Sequence, residues 1–175
     1  VRQAPRRPLP PRAHLLPLFS RLGPYDPALL DRASRGPPAR PRRLMEYWAH
    51  VAAYVPPETF QLLRFRMARN RASGFAANVR RKHPQTWDVV HDVVARSGPV
   101  TASQVHAILG HERGPKEHWG WNWSVAKQVL EASFFTGDLA VAHRTSQFER
   151  AYDLTERVLP PALLDPCSPK LMNWN

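Results

Sequence analysis

The sequence predicts a mainly α-helical protein with a small β-hairpin, in which a helical scaffold is followed by a winged helix-turn-helix. The first observation is the order of patterns in residues 99–154: a helix pair, a Trp-rich loop, a long amphipathic helix and two β-prone runs. The second is that apolar residues upstream recur at three- and four-residue spacing. The third is the length of 175 residues, which suits one ordinary domain or a small domain with a flanking scaffold.

The N-terminal part is predicted to contain a disordered segment and then a basic helical scaffold. Residues 1–12 are rich in proline and arginine and have no periodic apolar face, which is typical of disorder. The scaffold is expected to span residues 13–83. Asp26 followed by Pro27 predicts a short helix that ends near Ala33, because aspartate caps the first backbone N–H groups and proline has no N–H to leave unpaired.

Two longer helices are predicted in the rest of the scaffold. The apolar positions between residues 42 and 55 predict the first, which Pro56 and Pro57 end, with Tyr47 and Trp48 assigned to the core. The second follows directly and is interrupted by a glycine. Its predicted inward residues are Phe60, Leu63 and Met67, its predicted outward residues are Arg64, Arg66, Arg69 and Arg71, and the interrupting glycine is Gly74.

Residues 84–160 are predicted to form the winged helix, and residues 161–175 a tail. Caps and turn residues delimit its three helices. In chain order they are Ser97–Pro99, Thr101, Leu109, Asn122 or Ser124, and Gly137. Two β-prone runs, residues 139–142 and 148–154, predict the hairpin that forms the wing.

The charge of the chain predicts a polyanionic partner. The formal net charge is +11 and the pI is about 11.0, which favours nucleic acid first and an anionic membrane surface second. Ten arginines stand against two aspartates in residues 1–43, and residues 64–82 hold six arginines and Lys82 with no acid. Residues 83–175 carry a slight acidic excess, so most of the hold on a phosphate backbone is expected from the segment before the winged helix. Taken together with the predicted winged helix, this charge makes double-stranded DNA the expected partner.

Other classes of protein are disfavoured by what the sequence lacks. No apolar run approaches membrane-spanning length, so no membrane span is expected. Cys167 is the only cysteine, which excludes an internal disulfide and favours a cytoplasmic setting. Neither a His-Glu-x-x-His motif nor a Cys-pair signature is present, and no Gly-rich phosphate loop occurs, so neither a metal nor another cofactor is expected.

The predicted winged helix offers a few candidate DNA contacts. Lys127 and Gln128 lie with Ser124 and Glu131 on the polar face of the third helix, which occupies the recognition position. A mixed-charge face is also typical of plain solvated surface, and that alternative remains open. Arg144 is predicted at the tip of the wing as a phosphate contact. Arg64, Arg66 and Arg69 are the corresponding candidates in the basic segment.

Five strings carry a resemblance to a known family. They are RAHLLPLFSRLGPYD (12–26), EYWAH (46–50), GPVTAS (98–103), WGWNWS (119–124) and FERAYDL (148–154). Together they resemble the bacterial YcaQ-like winged-helix family of crosslink-repair DNA glycosylases, in order and with compatible spacing from about Arg12 to Pro160. The resemblance implies hydrolysis of the N-glycosidic bond of alkylated or crosslinked purines without a metal or an organic cofactor. Family members are longer, so the chain is expected to be part of a larger protein.

The resemblance also implies a catalytic position and a set of DNA contacts. The family motif is a glutamine, an apolar residue and then a glutamine or aspartate, which falls here on Gln3, Ala4 and Pro5. Gln3 is therefore the candidate catalytic residue, and Pro5 departs from the pattern. The polar residues of the preserved strings that are expected to face the DNA are His14, Ser20, Arg21, Tyr25 and His50. For His50, a buried imidazole with its hydrogen bonds satisfied is an open alternative.

Two alternatives remain open at this stage. A non-catalytic winged-helix module that binds or regulates DNA would show the same fold and charge. A protein-docking winged helix is allowed by the slightly acidic balance after residue 83. In each case a monomer is expected.

Overall fold

The computed structural model describes residues 15–35, 42–109 and 124–165. Its α-helices are α1 (Leu16–Leu22), α2 (Ala28–Arg35), α3 (Thr59–Ala72), α4 (Gly74–Lys82), α5 (Pro84–Ser97), α6 (Ala102–Ile108), α7 (Val125–Thr136) and α8 (Thr155–Val158). Its strands are β1 (Met45–Trp48), β2 (Ala52–Val55), β3 (Val100–Thr101), β4 (Leu139–Arg144) and β5 (Arg150–Leu154). The predicted mainly helical class with a small antiparallel hairpin is confirmed.

The strands form two small antiparallel sheets. β1 and β2 make a hairpin in which Met45 pairs with Val55 and Trp48 with Ala52. The other sheet has the order β3-β5-β4, so β5 is central and β4 lies at an edge. The predicted hairpin of residues 139–154 is therefore present, and β3 adds a third strand to it.

Arginines from upstream bind the edge strand β4. The Nη1 and Nη2 groups of Arg42 donate to the carbonyl oxygens of Val141 and Ala142 at 3.1 and 2.8 Å. Arg35 Nη2 donates to the carbonyl oxygen of Arg144 at 3.0 Å. These bonds occupy polar backbone groups that an uncovered edge strand would offer to another chain.

The predicted helix over residues 42–55 is wrong, because this segment is the β1–β2 hairpin. Its apolar residues fit helical spacing by count, yet a short apolar run does not distinguish a helix from a strand. Contacts distant in sequence decide the outcome: Glu46 is buried against arginines of β4 and β5, and the Tyr47 hydroxyl donates to the carbonyl oxygen of Phe135 at 2.8 Å. Trp48 was also assigned to the core, but it is 41% exposed, whereas Tyr47 is buried.

Helix α7 is the centre of the core. Val129, Leu130 and Phe134 on this helix are at most 1% exposed, and helices α3, α4 and α5 all pack against it. Gly137 ends α7 with φ of +75°, and a Cβ there would lie 2.6 Å from Met67 Sδ. Glycine is therefore required twice at this position, for its left-handed backbone and for the close approach of α3.

Most of the predicted helix boundaries are confirmed. Asp26 Oδ1 accepts from the Ala28 N–H at 3.0 Å at the start of α2, and Ser124 Oγ accepts from the Lys127 N–H at 3.3 Å at the start of α7. Thr101 and Gln104 cap α6 reciprocally, each side chain accepting from the other's backbone N–H.

The scaffold helices α3 and α4 pack directly on α7, which belongs to the predicted winged-helix segment. The division of the chain at residue 83 thus remains a prediction about domains, while the packing forms one shared core. Within the described residues, no helix is long and apolar enough to cross a membrane.

A histidine is built into the α5–α7 contact. His91 stacks on Trp87 with ring centroids 5.1 Å apart, and its Nε2 lies 2.7 Å from Oγ of the fully buried Ser133. Burial lowers the pKa of His91 below 6.5 because the imidazolium is poorly solvated there, although the carboxylate of Asp138 opposes this effect.

Lowering the pH is therefore expected to destabilise the fold through His91. A histidine whose folded pKa is depressed contributes stability above the unfolded value of 6.5 and loses it as the pH falls below that value. Melting temperatures between about pH 7.5 and pH 5 check this. His91→Gln is expected to reduce the loss, and His143→Gln is the companion variant because burial lowers the pKa of His143 as well. An unchanged pH profile in His91→Gln would contradict the assignment.

Candidate nucleic-acid interface

The basic segment predicted from the sequence forms the helix pair α3–α4. Residues 59–82 contain six arginines and one lysine and no acidic residue. Of these side chains, Arg71 has an ion pair with Asp138 at 3.0 Å. A hydrogen bond to a backbone carbonyl satisfies a guanidinium donor without neutralising its charge. The helix pair therefore keeps a large positive charge even where its arginines contact the protein.

The three predicted contacts on α3 lie on two flanks of the helix, with Arg64 apart from the other two. At roughly 100° per residue, Arg66 and Arg69 are about 60° apart, whereas Arg64 is about 160° from Arg66. Arg64 Nη1 donates to the carbonyl oxygen of Leu164 at 3.2 Å, beside Gln61, whose Nε2 binds the carbonyls of Leu163 and Asp165. Arg64 thus anchors the segment that follows α8. Only Arg66 and Arg69 share the flank that faces the β1–β2 hairpin.

Arg66 links α3 to the turn of that hairpin. Its Nη1 donates to the carbonyl oxygens of Ala49 and, at 3.4 Å, Trp48. His50 lies in the same turn and is exposed. Arg69, one helical turn further along α3, is also exposed. The structure therefore brings together His50, Arg66 and Arg69 from the predicted set.

The N-terminal candidates occupy α1 and the turn after it. Ser20 Oγ and Arg21 Nη1 both donate to the carbonyl oxygen of Pro17, at 3.0 and 2.9 Å, and both residues are exposed. The Tyr25 hydroxyl donates to the carbonyl oxygen of Leu15 at 3.1 Å, which holds the turn against α1. His14 and the catalytic candidate Gln3 lie outside the described residues, as does the Trp-rich loop of residues 110–123.

The polar face predicted for α7 is only partly a solvent face. Lys127 and Gln128 are half-buried and each has a partner in the protein. Glu131 was assigned to the same solvated face, and this is wrong: it is 6% exposed, and both of its carboxylate oxygens accept from Arg150 Nη1 at 3.0 Å. The Tyr152 hydroxyl donates to Glu131 Oε1 at 2.9 Å.

Arg144 belongs to the same buried network rather than projecting from the hairpin tip. Its Nε and Nη2 donate to the two carboxylate oxygens of Glu46 at 2.8 and 2.6 Å, and its Nη1 donates to the carbonyl oxygen of Phe148 at 2.7 Å. The guanidinium also lies 4.0 Å from the centroid of the Phe148 ring. These contacts hold Phe148 at its positive φ of 69° in the β4–β5 turn.

The two carboxylates and two guanidinium groups form one ion network, defined here as Glu46, Glu131, Arg144 and Arg150. Arg150 is shared, because its Nε donates to Glu46 Oε1 at 2.6 Å while its Nη1 binds Glu131. Burial by itself lowers the pKa of Arg150, but the two carboxylates more than offset this and raise it above the usual arginine range. Burial and the neighbouring Glu131 raise the pKa of Tyr152, which keeps its hydroxyl protonated as a donor.

Sequence reasoning missed the ion network, although a signal was present. Glu46 stands in the EYWAH string, and Arg150 and Tyr152 stand in FERAYDL. These two strings meet in the fold, with Glu131 of α7 between Arg150 and Tyr152. A charged residue inside each of these largely apolar strings was a sign of a buried ion pair. Because Glu46 and Arg150 are about a hundred residues apart in sequence, nothing in the sequence indicated that they pair with each other.

Comparison with protein families identifies the class to which this arrangement belongs. The model of the AlkZ-like DNA glycosylase family matches residues 2–171, which is nearly the whole chain. The chain belongs to the AlkZ-like DNA glycosylase family, as its resemblance to YcaQ-like crosslink-repair glycosylases predicted. No solved structure matches the chain. Within the described residues, no group of three or more His, Cys, Asp or Glu side chains is placed to hold a metal ion.

Replacing Glu46 with glutamine is expected to lower the free energy of unfolding by about 3 kcal/mol or more, because two buried guanidinium groups lose a carboxylate partner. Denaturant unfolding measures this change. Asp92→Asn is the matched control: its carboxylate pairs with Arg96 on the exposed surface of α5, where such a pair is worth under about 1 kcal/mol. Equal effects of the two substitutions would show that the ion network is not a stabilising element.

Proposed function

We propose that this chain binds double-stranded DNA and hydrolyses the N-glycosidic bond of alkylated or crosslinked purines. The observation that carries the proposal is the family match over residues 2–171. The acid-free helix pair α3–α4 supports the DNA-binding part, because among the residues that the structure describes only the Arg71–Asp138 ion pair compensates its charge.

The proposal includes a winged helix over residues 84–160. The order α5-β3-α6-α7-β4-β5 supports this, since three helices with a short strand after the first and a terminal antiparallel pair are the parts of that motif. In this arrangement α7 takes the recognition position and the β4–β5 hairpin is the wing. Lys127 and Gln128, near the N-terminal end of α7, are the residues proposed to contact DNA from this motif.

The proposed reaction requires few catalytic groups from the protein. Alkylation at N7 places a positive charge on the purine, so the departing base needs little protonation. The enzyme has chiefly to stabilise an oxocarbenium-like sugar and to hold a water molecule in line. A side-chain amide can orient that water, which is the role proposed for Gln3.

Residue Pro5 favours a second candidate function, a DNA-binding module without catalytic activity. It stands at the position where the family motif has a glutamine or aspartate. Proline supplies neither a carboxylate nor an amide to position water. The two functions differ in one observable, the release of a base from bound DNA.

These two functions are distinguished by incubating the chain with duplex DNA that contains N7-alkylguanine and measuring the abasic sites formed. If the chain is a glycosylase, Gln3→Ala is expected to lower the rate of base release by about 100-fold or more without a comparable loss of binding. Pro5→Asp, which restores the family motif, is expected to raise the rate by about tenfold or more. Binding with no release by either the parent chain or Pro5→Asp would establish the non-catalytic module.

The salt dependence of duplex binding tests the role of the basic helix pair. Arg69→Gln is expected to weaken binding to every sequence and to reduce the slope of log K against log salt by about 1, because one phosphate contact is lost. Arg96→Gln is the matched control, since Arg96 lies on α5 and pairs with Asp92. An affinity that does not vary with salt would remove DNA as the partner and favour protein docking.

A further inference from the structure

Two exposed aromatic rings and a partly buried third form a ledge beside the β1–β2 hairpin. The aromatic ledge is defined by Trp48 at the end of β1, Phe75 at the start of α4 and Phe135 near the end of α7. Phe135 is the central ring, with centroids 5.7 Å from Trp48 and 6.1 Å from Phe75, both edge to face. Trp48 and Phe75 are 41% and 42% exposed, although the chain has a buried core that accommodates other aromatic residues.

Hydrogen bonds from neighbouring elements fix the ledge. The carbonyl oxygen of Phe135 accepts from the Tyr47 hydroxyl at 2.8 Å and from Asn70 Nδ2 at 3.1 Å. Burial raises the pKa of Tyr47 to about 12, so this hydroxyl stays a donor. Arg66 binds the backbone of Trp48 and of the turn that follows. The rings are therefore presented on a preorganised frame, which lowers the entropic cost of binding.

The surroundings of the ledge are cationic. Arg66 and Arg69 lie on the flank of α3 that faces the hairpin, and helices α3 and α4 contain no acidic residue. On the hairpin, Glu46 is buried in the ion network. An aromatic surface bordered by arginines is suited to nucleic acid, because bases stack on the rings while the guanidinium groups attract the phosphates. A purely apolar partner would offer no negative charge to Arg66 and Arg69.

We propose that the aromatic ledge stacks against an unpaired nucleobase of DNA, with Arg66 and Arg69 attracting the adjoining phosphates. A base inside an intact duplex has both faces covered by its neighbours, so only a base outside the stack can present a face to Trp48. This inference rests on the proposed DNA-binding function and deepens it. It predicts that the chain prefers DNA with an extrahelical base over the same duplex fully paired.

The test compares affinities for two duplexes of identical sequence, one fully paired and one with a single bulged thymidine, by fluorescence anisotropy at fixed salt. The parent chain is expected to bind the bulged duplex about tenfold more tightly. Trp48→Leu is expected to abolish this preference while binding to the paired duplex persists, and Trp48→Phe to retain most of it. Phe75→Leu, a second ledge variant, is expected to reduce it.

Phe65→Leu is the matched control, because Phe65 is 66% exposed on α3 and lies outside the ledge. It is expected to leave the preference unchanged. Melting curves establish which variants are folded, and the preference is compared among those. Equal binding of both duplexes by the parent chain, or a preference that survives Trp48→Leu and Phe75→Leu, would overturn the ledge while leaving DNA binding intact. Failure to bind either duplex at low salt would instead overturn the proposed function, and the ledge with it.

Discussion

The buried carboxylate of Glu46 is the constraint on which the rest of the structure depends. It accepts from two guanidinium groups that come from different strands, Arg144 on β4 and Arg150 on β5. Arg150 in turn binds Glu131 of α7, so that two buried carboxylates and two largely buried guanidinium groups balance each other. Removing Glu46 would take from Arg144 its carboxylate partner, and removing Arg150 would take from the buried Glu131 its guanidinium partner. This network joins the β1–β2 hairpin to the other sheet and to the central helix.

The ion network and the contacts to the edge strand β4 both reduce the number of arginines that remain for another molecule. Arg144 donates hydrogen bonds to Glu46 and to the carbonyl oxygen of Phe148. Arg35 and Arg42 donate to backbone carbonyl oxygens of the edge strand β4. Arg69 on α3 remains exposed. Arginine in this chain therefore has two physical uses, as a multiple hydrogen-bond donor that fastens backbone segments and as a source of positive potential. The high arginine content does not translate directly into contacts with DNA.

Membership of the AlkZ-like DNA glycosylase family suggests one role, the recognition of DNA, for the basic helices and the aromatic ledge together. The hairpin, the acid-free helices and the aromatic ledge lie beside one another because the ion network and the hydrogen bonds to Phe135 fasten β1 to α7. Positive charge and aromatic rings therefore lie on one frame, which is the arrangement that the proposed binding of unstacked DNA requires.

The local signals in the sequence determined much of this protein. Asp26, Thr101 and Ser124 capped the helices they were predicted to cap, and Gly74 and Gly137 marked real breaks, because caps and left-handed turns depend on residues a few positions apart. The family strings likewise identified the class of protein. Residues 42–55 were predicted as a helix and Glu131 as a surface residue, and both were wrong for the same reason. Their conformations and burial are decided by partners about 20 to 100 residues away, Arg144 and Arg150 above all, and periodicity contains no information about which charge will meet which. Only the tertiary structure decided that the arginine predicted at the hairpin tip would close a buried ion pair, and that Trp48 would face outward.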